Sequence, residues 1–171
     1  MRVILPAGAC RRTGRDRSMA GKKKAVRKAV KGKTIRQVAA IPFRRAADGS
    51  LEVMLVTSRQ TRRFIVPKGW PMKGRSGAEA AAVEALEEAG VVGTALEPPA
   101  GTYSYWKRLE SQFVPVDVTV YLLAVAEELP DWQEKGGRSR AWLPAADAAL
   151  LIDEPELASL VKSLQAPAGM P

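Results

Sequence analysis

Three carboxylates stand closest to chemistry in this chain. Glu84, Glu87 and Glu88 are spaced i, i+3 and i+4, which places them on one face of a helix. Like charges at these spacings repel. Glu87 and Glu88 also precede Gly90 so closely that they fall in the last turn, where the helix dipole disfavours anions. Each effect costs only a few tenths of a kcal/mol up to about 1 kcal/mol. A solvated acidic face is the ordinary fate of such a trio. The alternative is a hard divalent cation, because Mg²⁺ takes carboxylate oxygens and keeps positions for water and substrate phosphates. The stretch immediately upstream favours this second reading. Pro67-Lys68-Gly69-Trp70-Pro71-Met72-Lys73-Gly74 is a glycine-bearing loop that can bring backbone and lysine against a phosphorylated ligand.

The glutamates need a helix, and the sequence supplies one from Ser76 to Ala89. Ser76 and Glu79 form a capping box, the interior is rich in alanine, and Gly90 stands where a left-handed C-cap belongs. Around it lie short apolar runs. Residues 34–44 and 51–57 read as two strands of a hairpin about the turn residues Ala46-Ala47-Asp48-Gly49-Ser50. Phe64-Ile65-Val66 reads as a short strand stopped by Pro67, and Pro67 to Gly77 as loop. Strands are also expected at 101–107, 114–126 and 139–143, with loop at 132–137. A final helix begins near Glu154, with Asp153 as N-cap and Pro155 in its first turn, and ends near Leu164. Strands before and after one central helix predict a mixed sheet flanked by helices.

The motif residues resemble those of the Nudix hydrolases. Gly69 opens the family pattern, Glu84 and Ala85 follow at the spacing it requires, Glu87-Glu88 supply its acidic pair, and Gly90-Val91 close it. Two positions depart: Arg75 stands where the family has Glu, and Val83 where it has Arg. Losing both members of a pair is close to neutral, whereas losing one strands a charge. The resemblance extends over about residues 34–165. Val53 to Arg59, Arg63 to Gly69, Trp132, Glu134 and Gly137 to Trp142 look like the diphosphoinositol polyphosphate and diadenosine polyphosphate phosphohydrolase branch.

The resemblance implies a Nudix-type α/β/α sandwich with a mixed β-sheet. It also implies a Mg²⁺- or Mn²⁺-dependent pyrophosphohydrolase acting on a dinucleoside polyphosphate, a diphosphoinositol polyphosphate or a related nucleoside diphosphate-X compound. By the same resemblance Glu84 and Glu88 are metal ligands, helped by the backbone carbonyl of Lys68, and Glu87 is the general base. Arg36, Ser58, Arg59, Lys107, Arg108 and Arg138 are expected to bind substrate, since they fall in segments where that branch grips phosphates. Asp153-Glu154 lie where the branch can carry a basic residue, which counts against inositol pyrophosphates. Tyr103, Tyr105, Trp106, Trp132 and Trp142 are candidates for stacking a base, with core or edge packing as their commoner fate. Trp70 either overhangs the mouth of the site or pins its loop.

Composition sets the outer bounds. The 171 residues are 46% hydrophobic and 26% charged, enough for one packed domain. The absence of histidine excludes a Ser-His-Asp triad, a histidine base and a histidine-ligated zinc. A single cysteine, Cys10, excludes an intrachain disulfide. No apolar run approaches the length of a membrane span, and cytoplasmic location is the expectation. The net charge of +9 is unevenly placed: residues 1–33 hold twelve Lys/Arg and one acid, leaving fifteen basic and seventeen acidic residues in the rest. Residues 1–33 are therefore read as a disordered basic arm suited to a polyanion, 34–166 as the Nudix domain and 167–171 as a short tail. Met19 is an alternative start. The arm keeps a second function open: a catalytically weak Nudix-fold module that binds RNA or polyphosphate. A nucleic-acid-binding protein proper is a third.

Overall fold

The computed structural model describes Arg27, residues 34–109 and residues 112–165. Arg27 apart, the expected basic arm lies outside the described residues, as does the expected 167–171 tail. The described chain forms eight strands and three helices: β1 Ile35–Arg45, β2 Leu51–Thr57, β3 Phe64–Ile65, β4 Lys68–Gly69, α1 Gly77–Ala89, β5 Val91–Ala95, β6 Gly101–Leu109, β7 Gln112–Glu128, β8 Arg140–Pro144, α2 Ala145–Leu150 and α3 Pro155–Lys162.

One mixed sheet contains all eight strands. The order β3-β2-β1-β7-β5 runs through it, with β4 on β1, β6 on β7 and β8 on β2. The central β1–β7 pair is parallel over nine residues, from Ile35 opposite Val116 to Phe43 opposite Ala124, while its neighbours are antiparallel. The long β7 holds the sheet together: one end pairs with β6 and the other with β5. The β1–β2 connection is the expected turn. Its backbone closes from Ala46 N–H to Ser50 O and from Gly49 N–H to Ala46 O, and the Asp48 carboxylate accepts from Ser50 N–H.

Each face of the sheet carries its own apolar layer. On one, Val38 and Ala40 of β1, Met54 and Val56 of β2 and Leu123 of β7 meet Ala78, Ala81, Ala85 and Ala89 of α1. Alanine here lets the helix axis come close to the sheet, which brings the ends of its polar side chains to the strand edges. On the other face, Ile35, Ala39, Ile41, Val116, Val118 and Val120 are covered by Ala148 and Ile152 at α2 and by Leu157 and Val161 of α3. The result is the expected α/β/α sandwich.

Several elements differ from the sequence reading. The Pro67–Gly77 stretch is not all loop, because Lys68–Gly69 pairs with Val38–Ala39 as β4. β5 and α2 were not foreseen. β5 follows directly on the helix C-cap, and α2 has six residues with Pro144 as an N-cap that offers no side-chain bond. The N-cap of α3 is Glu154 rather than Asp153, because Pro155 occupies the first helical position. Among the described residues no helix is long and apolar enough to cross a membrane.

Candidate active site on helix α1

α1 begins and ends as its sequence dictates. Ser76 accepts from Glu79 N–H, the Glu79 carboxylate accepts from Ser76 N–H, and Gly90 closes the helix in the left-handed region at φ 65° and ψ 35°. A side chain at Gly90 would meet the ring of Trp132. The last turn contains no basic residue of its own. Its carbonyls are served from elsewhere. Arg140 of β8 donates to Ala89 O at 2.8 Å and to Gly90 O at 3.2 Å, and Glu134 N–H donates to Glu87 O. The guanidinium supplies the cation that the dipole end lacks locally.

Glu84 and Glu88 meet the strand edge where β4 enters, and the charge of Glu87 acts on Glu84. Glu84 lies against Gly69, so closely that any Cβ at that position would collide with the carboxylate. It also takes a hydrogen bond from the Trp70 backbone. Burial, and then the charges of Glu88, Glu87 and Glu134, push the Glu84 pKa up to about 8. Glu88 is buried, and its Oε2 accepts from Lys68 N–H at 3.1 Å. Its Oε1 pairs with Arg138 Nη2. Burial raises the Glu88 pKa, and the Arg138 and Lys68 charges oppose that rise.

Arg138 is the functional residue whose surroundings the sequence least revealed. It is buried, and each of its three nitrogens has a protein acceptor: Glu88, the Glu134 carboxylate at 2.6 Å and Thr57 O at 2.9 Å. Three of its five N–H donors are thus taken up within the protein. Val83, which takes the place of the family's arginine, is itself buried. A cation from the 130–140 segment thus reaches the glutamates where the helix supplies none.

The remaining predicted residues divide. Arg59 joins this network through Glu134 at 3.2 Å. Ser58 Oγ lies 2.7 Å from Thr61 Oγ1. Lys107 Nζ sits 5.2 Å from the Trp70 ring, which is half-buried against the core, so Trp70 both pins the loop and faces a lysine. Lys68 Nζ stands 5.5 Å from the Tyr105 ring, and burial lowers its pKa to about 8 against the opposing pull of Glu88 and Glu154. Arg36 and Arg108 are exposed and, by strand alternation, lie on the α1 side of the sheet, opposite to Lys107. Trp142 packs under Arg44 and donates to Glu128, and Trp132 packs at the helix end. Tyr103 is buried and stacks on Tyr105 at 6.2 Å. Trp106 is exposed.

As they stand, the described residues contain no group of three acidic side chains gathered as an ion cage. Glu84 is drawn toward the β4 backbone and Glu88 toward Arg138. The donor set nevertheless fits a hard divalent cation. It consists of oxygen donors, crowded and partly desolvated, with one carboxylate held back from ionising by burial and by its negative neighbours.

Comparison with known proteins gives a consistent picture. No protein-family model matches the chain. Nudix hydrolase 12, mitochondrial, of Arabidopsis thaliana is 36% identical over 104 residues, spanning 57% of this chain and 50% of its own. Nudix hydrolase 16, mitochondrial, of the same plant is 34% identical over 121 residues, spanning 63% of this chain and 67% of its own. Among solved structures, a C. elegans Ap4A hydrolase in a binary complex superposes with a TM-score of 0.56 at 21% identity, over 75% of this chain and 93% of its own, a likeness of fold. The chain spans about half the length of the first two plant relatives.

Proposed function

This chain belongs to the Nudix hydrolase family, and from that premise we propose that it hydrolyses a phosphoanhydride bond in a dinucleoside polyphosphate or a related nucleoside diphosphate-X compound, using Mg²⁺ or Mn²⁺. One observation carries the reading. Glu84 packs against Gly69 and Glu88 accepts from Lys68 N–H at one strand edge, where burial and the charges of Glu88, Glu87 and Glu134 together hold back ionisation of Glu84. A fold does not need such crowding for stability. Glu84, Glu88 and the Lys68 carbonyl are the groups that would hold the ion. When bound, a divalent cation there supplies Lewis acidity, acidifying water and offsetting the charge of the pyrophosphate.

The chain's own residues do the rest. Glu87, on the same helix face, receives the proton of the water that attacks phosphorus, and the anhydride P–O bond breaks on the opposite side. Lys107 and Arg59 reach the site from β6 and from the β2–β3 connection and hold phosphate oxygens. Arg138 acts through Glu88 and Glu134 and is a positioning residue. Gly69 leaves the space that Glu84 fills.

The test is phosphate release from diadenosine polyphosphates, ADP-ribose and nucleoside diphosphates with Mg²⁺ or Mn²⁺. Glu87→Gln and Glu88→Gln are each expected to lower the rate on the order of 10²-fold or more. Absence of activity across the panel, or rates unchanged in both variants, overturns the reading.

A further inference from the structure

On the sheet face beneath α3, four polar side chains meet among apolar neighbours. Strand alternation places Gln37 of β1 with Ile35 and Ala39, and Tyr105 of β6 with Tyr103. Tyr105 Oη donates to Gln37 Oε1 at 2.7 Å. Lys68 Nζ faces the Tyr105 ring. Glu154, at the N-cap of α3, is near enough for its charge to act on Lys68, Tyr103 and Tyr105.

Glu154 has no local task that explains both of its oxygens. Its side chain makes no capping bond to α3. Oε1 accepts from Arg63 Nη2 at 3.1 Å, while Arg63 Nη1 is held by Asp153. Oε2 is sealed from solvent and has no hydrogen-bond partner among the described residues. The side chain as a whole is only 9% exposed. A buried carboxylate oxygen without a donor is unfavourable, and native structures retain such an atom when something else completes it.

The missing partner must bring a donor and no negative charge. A phosphate at neutral pH offers acceptors and would set its charge against the carboxylate. A nucleobase offers N–H groups on the edge of a flat ring. Tyr105 and Trp70 offer flat faces, over which the Lys68 and Lys107 ammonium groups now stand. Arg63, whose side chain is 41% exposed, holds the other oxygen from the protein surface.

We propose that Glu154 Oε2 accepts an N–H of the substrate's nucleobase, so that the polar cluster under α3 selects a nucleoside end over a phosphate-bearing one. The proposal rests on the nucleoside diphosphate-X reading above and deepens it, setting diphosphoinositol polyphosphates aside. Glu154 is here a specificity residue, and the scissile bond lies on the Glu88 side of Lys68.

The experiment measures binding by calorimetry, without turnover, for the diphosphates of adenosine, guanosine, cytidine and uridine against inorganic pyrophosphate and inositol hexakisphosphate. At least one nucleoside diphosphate should bind the wild type more tightly than pyrophosphate. Glu154→Gln keeps an acceptor for Arg63 and turns the other position into a donor. It should cut that preference by about 10- to 100-fold, the scale of a hydrogen bond to a charged group. Pyrophosphate affinity should hold or improve. Lack of any nucleoside preference in the wild type, or its survival in Glu154→Gln, overturns the proposal. If Glu154→Gln does not fold, Glu154→Asp decides: it keeps the charge but withdraws the oxygens by one methylene. A lowered preference then supports the assignment, and an unchanged one overturns it. A protein that keeps the preference yet releases no phosphate with either metal fails the hydrolase reading alone. A working hydrolase without the preference fails this one alone.

Discussion

Glu88, in the last turn of α1, and Glu154, before the first turn of α3, are equally buried, each 8% exposed. Their surroundings differ. Glu88 has a partner on each oxygen, one from the Lys68 backbone and one from Arg138, and each nitrogen of Arg138 has an acceptor. Glu154 has a partner on one oxygen only, supplied by a half-exposed arginine. The first arrangement resembles a finished part: a buried anion whose cost is met by groups that hold it in one orientation. The second is unfinished within the described protein. Completeness of the hydrogen-bond inventory, more than burial or charge, separates the two: Glu88 is held in one orientation beside the Lys68 backbone, whereas one oxygen of Glu154 has no donor among the described residues.

That contrast can be broken most severely at Arg138. Arg138→Met would leave Glu88 and Glu134 without their shared cation, and removing one member of a buried pair costs roughly 3–5 kcal/mol. Urea unfolding should report the loss, and Glu88→Gln added to Arg138→Met should restore part of it. A destabilisation under about 1 kcal/mol, the scale of an exposed pair, would remove the distinction between the two glutamates. Arg63→Met should do less. It strips Glu154 of its side-chain hydrogen bond to Arg63, and an unmet acceptor costs about 1–3 kcal/mol. Since Oε2 is already unmet, the same urea measurement should give a smaller value than at Arg138.

A third effect is spread over pH. The folded pKa of Glu84, about 8, lies above its ordinary 4.5, so its contribution to stability is full below pH 4.5 and is lost as pH rises through about 8. Lys68 runs the other way. Its folded pKa, also about 8, lies below 10.5, so between these values the unfolded chain binds more protons and stability climbs with pH. Together the two give a trough near pH 8 in a series of thermal midpoints, and Glu84→Gln should remove its acid side. Mg²⁺ or Mn²⁺ should fill the trough, with proton release when the ion is added at pH 7. A flat profile in wild type would remove Glu84 from the crowded group. The smallest change is Ser76→Ala, expected to cost about 1 kcal/mol in the same melts by opening the helix start far from either buried glutamate.

Local signals were legible in the sequence. The capping box, the Gly90 terminus and the Asp48-Gly49 turn each depend on residues a few positions apart, and each formed as read. The spacing of Glu84, Glu87 and Glu88 likewise set them on one helix face before any coordinates. What escaped the reading depends on long-range partners. The pairing of Arg138 with Glu88 spans fifty positions. Glu154 meets Arg63 across 91 positions. β5 has five residues with a bulge between Val92 and Gly93, too irregular for an alternation to emerge, and α2 is too short for a helical period. Arg36 and Arg108 were grouped with Lys107 by segment, and strand alternation separates them because neighbours on a strand face opposite ways.

The tie between α1 and the segment that follows β7 has a mechanical consequence. Leu129 N–H reaches Gly90 O, Glu134 N–H reaches Glu87 O, and Arg140 grips the helix terminus from β8. The acidic end of the helix is thus moored to β8 and to the connection that precedes it, which resist its tilting. A ligand that rearranges these carboxylates must work through side-chain torsions, with the backbone beneath serving as an anvil.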